Sequence, residues 1–356
     1  MSTALPPMCL PKARPIANGD CRCGFRNFNP KSALNNPQAK MANPLSKLIN
    51  PWYPATALGF EKGVATMVQL DRGRGGSATL RRAATVALPE TLIRPSFAEP
   101  NISDPAELTA ALQVLAGSAG LLKQKRWSVA LPEAASRTLI LNLESQPASS
   151  AELEEVLTWK MERGFGTEVA ELSVSRERLP PDAQARDRYM VVATRTAVLE
   201  EYENALHSLG WRAGLVVPRH VGEGQWLTMN GARGDSLLLS FAETGFTAVV
   251  FRGKQPLIVR SVNCDAAECE DDLYRLLLFY RDRNAGGTAT GGNSLARVLI
   301  VGDLLAKDRA REIVNETLEV NLRSLGAADL GLQLATRELS FDDIAAAAGL
   351  ATLSWQ

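Results

Sequence analysis

Residues 236–262 have the sequence SLLLSFAETGFTAVVFRGKQPLIVRSV. Its apolar runs are separated by short polar or glycine-containing segments at residues 243–245 and 252–254. Apolar runs of this length bounded by turn residues are typical of β-strands. The stretch therefore predicts three short strands joined by two tight turns.

A similar stretch lies upstream, at residues 57–88, where ALGFEKGVATMVQL is followed by a glycine-rich turn and SATLRRAATVAL. With an offset of 181 residues, apolar and threonine positions of the two stretches coincide: Phe60 with Phe241, Thr66 with Thr247 and Val68 with Val249. Two copies of one strand–turn–strand–turn–strand unit predict a duplicated chain with two lobes. The tight turns of the two copies are then expected to face each other across a cleft.

The composition is that of an ordinary globular protein with room for about two domains, since 356 residues contain 46% hydrophobic and 22% charged residues. The 39 basic and 39 acidic residues give a formal net charge of zero, which argues against a nucleic-acid partner. An aromatic content of 6% also argues against a surface on which bases stack.

The cysteines do not indicate a disulfide framework or a metal site. They form an odd, unevenly spaced set: Cys9, Cys21, Cys23, Cys264 and Cys269. One residue separates Cys21 from Cys23 and no histidine is near, so we interpret them as ordinary thiols and expect no metal ion. No secretory signal and no uncharged apolar run of about 18 residues is present, which predicts a cytoplasmic protein without a transmembrane span.

Residues 1–53 are expected to form a disordered tail, because they are rich in proline, asparagine and basic residues. Met41 would serve equally well as a start. Leu45, Leu48, Ile49 and Trp52 could line one face of a short helix. That helix is either a membrane-surface or partner anchor, or one turn packed on the body, and we favour the second.

Between and after the two copies, the chain alternates helices and strands. Asp104 followed by Pro105 predicts the start of a helix. Residues 344–353, IAAAAGLATL, predict a small-residue helix for close packing in a core. We predict a first lobe at residues 54–235, containing a side domain at about 100–180, and a second lobe at 236–356. This order is that of an α/β, actin-like fold, which is a duplicated, two-lobed, ribonuclease H-like fold, with a small α/β side domain in the first lobe.

Over residues 55–356 the chain resembles the PilM family of type IV pilus assembly proteins, which are related to FtsA. The resemblance rests on ALGFEKGVATMVQL at the family's opening strand pair, on the proline-ended ATVALP and WSVALP, and on the second hairpin. IAAAAGLA resembles the family's closing helix. The resemblance implies a cytoplasmic protein on the inner face of the inner membrane. It also implies binding to the N-terminal tail of the membrane protein PilN in a groove of the first lobe, around residues 126–143 and 189–194, and assembly into rings.

The resemblance also assigns the positions that cradle nucleotide phosphates in actin-like ATPases. In the first turn Gly59 stands at the aspartate position and Glu61 at the following glycine, with Lys62 and Gly63 next to them. In the second turn the corresponding residues are Ser240 and Ala242, followed by Glu243 and Thr244. In the third element Gly302 is kept, followed by Asp303.

These departures predict a degenerate nucleotide cleft. Glu61 would repel a triphosphate, and without the two metal-binding carboxylates the phosphate charge is not neutralised. We therefore expect no catalytic residues, no cofactor and no ATPase activity. No P-loop is present, and the two histidines, His207 and His220, are interpreted as surface or capping residues. The alternative is that Glu61 and Lys62 replace the missing ligands of Mg-ATP.

Three functions follow. The preferred one is a non-catalytic scaffold of a type IV pilus machine that binds a PilN-like tail. The second is an ATP-binding actin-like protein with unusual phosphate turns. The third is a GspL-like component of a type II secretion system.

Overall fold

The computed structural model describes residues 53–61, 63–73, 77–182, 184–229, 234–285, 295–334 and 339–355. Apart from Tyr53, the expected tail at residues 1–53 lies outside the described residues, and so does the predicted site residue Lys62.

Strands and helices alternate along most of the chain. The strands are β1 (Thr56–Glu61), β2 (Val64–Arg72), β3 (Ala78–Ala87), β4 (Arg126–Leu131), β5 (Arg137–Asn142), β6 (Leu172–Leu179), β7 (Arg188–Arg195), β8 (Arg212–Pro218), β9 (Asp235–Ala242), β10 (Gly245–Arg252), β11 (Gln255–Asn263), β12 (Leu295–Val301) and β13 (Leu332–Gln333). The α-helices are α1 (Pro105–Ser118), α2 (Ser150–Phe165), α3 (Thr196–Ser208), α4 (Arg219–Met229), α5 (Cys269–Ala285), α6 (Lys307–Leu318) and α7 (Phe341–Ala351). Short 3₁₀ helices are formed by Glu133–Ala135, Val169–Glu171 and Thr352–Trp355.

The predicted duplication is confirmed by the sheets. The first sheet has the order β13-β3-β2-β1-β4-β8 and the second has the order β11-β10-β9-β12. In each, an antiparallel strand triplet is extended by a parallel strand that pairs with the triplet's first strand. The residues aligned by the repeat all lie in the interior: Phe60, Thr66, Val68, Phe241, Thr247 and Val249.

The side domain is a three-stranded antiparallel sheet with the order β5-β7-β6, covered by α2. Its boundaries differ from the predicted 100–180. Helix α1 packs with Leu108, Leu112 and Leu115 in the core of the first lobe, and β7 extends the side sheet to residue 195. The sequence shows that α1 has an apolar face but not which sheet that face covers. As predicted, α1 begins with an Asp104 cap, whose carboxylate accepts the N–H groups of Ala106 and Glu107.

The boundary of the second lobe also needs correction, because residues 332–351 return to the first lobe. Strand β13 pairs with β3, and α7 packs across the first sheet beside α4. Trp226 of α4 donates its indole N–H to the Ala345 carbonyl of α7 at 2.8 Å. The small residues of α7 permit this approach, as expected for close packing: a methyl group built on Gly349 would lie 1.9 Å from the Gly222 carbonyl oxygen.

Candidate functional site

The first tight turn places Glu61 at the end of β1, facing the helix that links the lobes. The Glu61 carboxylate lies 2.6 Å from the Arg219 guanidinium of α4. Gly63 completes the turn with φ +75°, a conformation that favours glycine. Gly59, at the former aspartate position, lies against α7, because a methyl group built on it would be 3.5 Å from the Ala347 side chain.

Arg219 is buried and serves two carboxylates. Besides Glu61, its Nε donates to Glu223, one helical turn further along α4. Glu223 is fully buried, and its second carboxylate oxygen has no hydrogen-bond partner in the described part of the chain. The buried guanidinium beside the first turn is therefore held by two carboxylates of the protein itself.

Beside this pair, a second set of contacts joins the two lobes. Glu133, which follows β4 in the first lobe, lies 2.7 Å from His220 Nδ1. Thr247 of β10, in the second lobe, donates its hydroxyl to the same Glu133 carboxylate at 2.7 Å. Thr247 also contacts the Ser261 hydroxyl at 2.8 Å. Glu133 therefore connects the first lobe, the linking helix and the second lobe.

We call Glu61, Glu133, Arg219, His220 and Glu223 the charge cluster. Burial raises the pKa of Glu61 to about 7, and the facing Arg219 opposes this rise. Burial lowers the pKa of His220, but its contact with Glu133 outweighs burial and leaves the pKa above its usual value. Burial also raises the pKa of Glu133, but the contacts of Glu133, above all with His220, lower it by more. The pKa of Glu133 therefore lies below its usual value. The Glu223 and Glu133 carboxylates also raise the pKa of Glu61.

The third predicted element is covered by α7. The Gly302 N–H donates to the Asp342 carboxylate at 3.2 Å, and Asp342 also accepts from Lys307 at 2.6 Å. The N–H group of Gly302, which the resemblance assigns to the third element, is thus bound by a carboxylate of the protein itself. Burial raises the pKa of the neighbouring Asp343, Asp342 and Asp303 raise it further, and Arg219 lowers it.

The second turn lies next to the cluster through Ser240. Ser240 is buried directly opposite Thr247 in the β9–β10 hairpin, and its hydroxyl has no partner among the described residues. Glu243 and Thr244 form the turn after Ala242, the last residue of β9. Gly245 is required there, since a side chain would lie 2.0 Å from the Val262 carbonyl oxygen.

The two basic residues of the site, Arg219 and His220, were not identified from the sequence. His220 was interpreted as a surface or capping residue, but it is buried against Glu133, whereas His207 is exposed. Arg219 and Glu223 were not singled out. Their spacing of four residues at the start of a helix that follows an apolar strand is the pattern that indicates a paired charge.

The residues present do not fit Mg-ATP. The carboxylates that would hold the metal are replaced by Gly59 and Ser240, Arg219 is bound by two acids, and the Gly302 N–H is bound by Asp342. A phosphate would have to displace these partners and would meet Glu61 and Glu223. Among the described residues, no group of three or more histidine, cysteine or acidic side chains could hold a metal ion.

The His220–Glu133 pair predicts a pH dependence of stability. Because the pKa of His220 is raised in the folded state, its contribution is fully present below the unfolded value of about 6.5. The contribution is lost as the pH rises through the folded value. We expect the difference in free energy of unfolding between the wild type and His220→Gln to be largest near pH 6 and to shrink towards pH 9, measured by urea unfolding.

The exposed His207 provides the matched control, since it makes no ion pair with any residue that the structure describes. His207→Gln should leave the pH profile of the wild type unchanged. A wild-type advantage over His220→Gln that is constant from pH 6 to pH 9 would contradict a charged His220.

No protein-family model and no curated protein matches the chain. Among solved structures, the chain is similar to the PilM-PilN type IV pilus biogenesis complex, with 18% identity, a TM-score of 0.66, and coverage of 86% of this chain and 100% of that chain. An actin-like ATPase fold protein of unknown function from Bacteroides thetaiotaomicron is 10% identical, with a TM-score of 0.47 and coverage of 88% and 99%. The cytoplasmic domain of EpsL, an inner membrane component of the type II secretion system of Vibrio cholerae, is 12% identical, with a TM-score of 0.42 and coverage of 84% and 93%.

The predicted actin-like fold is confirmed, and the resemblance to PilM is confirmed at the level of the fold. At these identities the likeness extends to the fold alone. In the part of the chain that the structure describes, no helix is long and apolar enough to cross a membrane.

Proposed function

We propose that the protein is a non-catalytic, actin-like assembly protein of a type IV pilus machine, which binds the N-terminal tail of a PilN-like inner-membrane protein from the cytoplasmic side. The fold shared with the PilM-PilN complex over the whole of the matched chain supports the pilus assignment. The observation that carries the non-catalytic assignment is the Arg219 guanidinium, bound by Glu61 and Glu223.

In an actin-like ATPase the nucleotide and its metal hold the two lobes together across the cleft. In this chain, residues of the chain itself connect the lobes, through Glu133, His220 and Thr247. The side sheet adds a further connection, since Arg188 of β7 donates to the Leu257 carbonyl of β11 at 2.8 Å. A lobe arrangement held by internal contacts does not need ATP, which suits a scaffold with one binding-competent state.

The proposed binding groove lies where the first lobe meets the side sheet, around residues 126–143 and 189–194. We expect a PilN-like tail peptide to bind with 1:1 stoichiometry in calorimetry, and a scrambled peptide of the same composition to give no heat. A photo-cross-linker in the peptide should label residues 126–143 or 189–194. No binding at high micromolar protein, or cross-links confined to the second lobe, would contradict this proposal.

ATP binding is the second candidate, and one observation favours it. Arg219 is a buried cation at the first turn, and the pKa of its partner Glu61 is raised to about 7. A phosphate that displaced Glu61 would find a prepared guanidinium. A ligand at 100 times its Kd stabilises a protein by about 2.7 kcal/mol, which a melting experiment detects readily. We expect no rise in melting temperature with millimolar Mg-ATP, for the wild type or for Glu61→Gln.

The GspL-like function remains the third alternative, and the choice of tail peptide separates it from the first. Binding of a type II secretion tail, with no binding of the pilus tail, would favour it. Assembly into rings is a separate part of the proposal, and sedimentation velocity with and without the tail peptide tests it.

A further inference from the structure

Four exposed basic side chains lie together at the end of the first sheet opposite the charge cluster. We call Lys123, Lys125, Arg126 and Arg212 the basic patch. Arg126 and Arg212 are register partners in the parallel pair β4–β8, so their side chains leave the same face of the sheet. The Arg212 N–H donates to the Lys125 carbonyl at 2.8 Å, which fixes the two connecting segments side by side.

The basic patch has no counter-charge nearby in sequence, and none in contact among the described residues. None of its four side chains forms an ion pair with any residue that the structure describes. The two segments that supply them contain no acidic residue at all, over residues 108–132 and 204–222. Leu122 stands within the patch with 54% of its surface exposed. A partner that covers this surface must therefore supply negative charge for the bases and an apolar region for Leu122.

Residues 54–56 contact the same end of the sheet. The Thr56 hydroxyl donates to the Arg126 carbonyl at 2.9 Å, and Ser128 donates to the Pro54 carbonyl at 3.4 Å. The sequence of residues 1–52 contains seven basic residues and one acidic residue. In sequence, an excess of positive charge therefore precedes the residues that contact the start of β4.

We infer that the basic patch binds the surface of a membrane that carries anionic phospholipid headgroups. Lysine and arginine near such a surface each contribute about a fivefold gain in partitioning, and an exposed leucine gains by entering the headgroup region. A nucleic acid would use the charges but not the leucine, and the patch offers no aromatic side chain for stacking. An anionic membrane satisfies both requirements.

The place of the patch in the fold is compatible with the proposed binding of a membrane protein's tail. The basic patch lies at the start of β4, and the charge cluster lies beyond its end, so six residues, or about 20 Å of strand, separate them. Arg126 is the first residue of the range 126–143 proposed for the tail groove, and the rest of that range runs away from the patch along β4. The inference goes beyond the proposed function, and either one can fail without the other.

The test is co-sedimentation of the full chain with vesicles of phosphatidylcholine alone or with 30% phosphatidylglycerol. We expect the wild type to bind the anionic vesicles and to be released by 0.5 M NaCl, because salt screens exposed charges. Lys123→Gln with Lys125→Gln should lower the partition coefficient about 25-fold, because each of the two bases contributes about fivefold. The patch variant keeps residues 1–52. If that segment alone bound the vesicles, the variant would therefore bind them as well as the wild type does.

Lys254→Gln with Arg260→Gln is the matched control, because both residues are exposed bases of the second lobe and the change in net charge is the same. This control should bind as the wild type does. The inference is overturned if the patch variant equals the control, if neutral vesicles bind equally well, or if an equal concentration of duplex DNA displaces the protein from anionic vesicles. Tail-peptide calorimetry on the patch variant should give the wild-type result, which separates this outcome from the proposed function.

Discussion

Replacement of Arg219 by methionine is expected to lower the free energy of unfolding by about 3–5 kcal/mol, the usual cost of removing one partner from a buried ion pair. Methionine fills a similar volume, so the loss reports on charge rather than on a cavity. Glu223 is fully buried, and its second carboxylate oxygen has no hydrogen-bond partner among the described residues. Without the guanidinium, its charge would be neither paired nor solvated. Urea unfolding followed by circular dichroism measures the change.

Replacement of Glu61, the exposed partner of Arg219, should lower the free energy of unfolding by much less. Glu61 has a pKa raised to about 7 and a side chain that is 37% exposed. Glu61→Gln removes a charge that is already partly neutralised and keeps an oxygen that accepts from Arg219, so we expect a change of less than about 1 kcal/mol. Equal losses in Arg219→Met and Glu61→Gln would contradict the asymmetry of this pair.

A second large effect is expected where α4 and α7 touch. In Gly349→Ala the new methyl group would lie 1.9 Å from the Gly222 carbonyl oxygen, and 3.1 Å from the indole nitrogen of Trp226. The nearest obstacle is backbone of a packed helix rather than the end of a flexible side chain, so the two helices must separate. We expect a loss of at least about 3 kcal/mol, at the upper end of the range for overpacking.

Gly117→Ala is the matched control, because Gly117 is also a helical glycine and a methyl group there meets nothing within 4 Å. Alanine is preferred over glycine inside a helix, so this change should raise the free energy of unfolding by about 0.5–1 kcal/mol. If Gly349→Ala is as well tolerated as Gly117→Ala, then α4 and α7 do not pack as closely as the structure shows.

The parts of the fold that sequence predicted are those encoded locally. The strand triplets are recognisable because their apolar runs and turn residues lie within 32 consecutive residues, as in 57–88. The side-domain boundary and the return of α7 depend on contacts between distant residues. IAAAAGLA indicates a close helix contact, but nothing in those eight letters shows that the partner is Gly222, more than 120 residues earlier.

The same distinction holds for the candidate site. Gly59 and Ser240 could be assigned because the turns that carry them are part of the recognisable repeat. Arg219 and His220 lie in a helix that has no counterpart in that repeat, and Glu133 becomes their neighbour only when the strands are assembled. His220 illustrates the limit most clearly, since a lone histidine after an arginine has the same appearance on a surface as in a buried ion pair.

Because β13 and α7 belong to the first lobe, that lobe cannot be completed early in synthesis. About 120 residues separate the end of α4 at Met229 from the end of α7 at Ala351. At translation rates of about 5–20 residues per second, the face that α7 covers stays open for about 6 to 24 seconds after α4 is made. Trp226, Leu227 and the apolar side chains of β2 are exposed to water during that interval. We therefore expect holdase chaperones to bind the nascent chain on the ribosome, although the finished protein keeps this face buried.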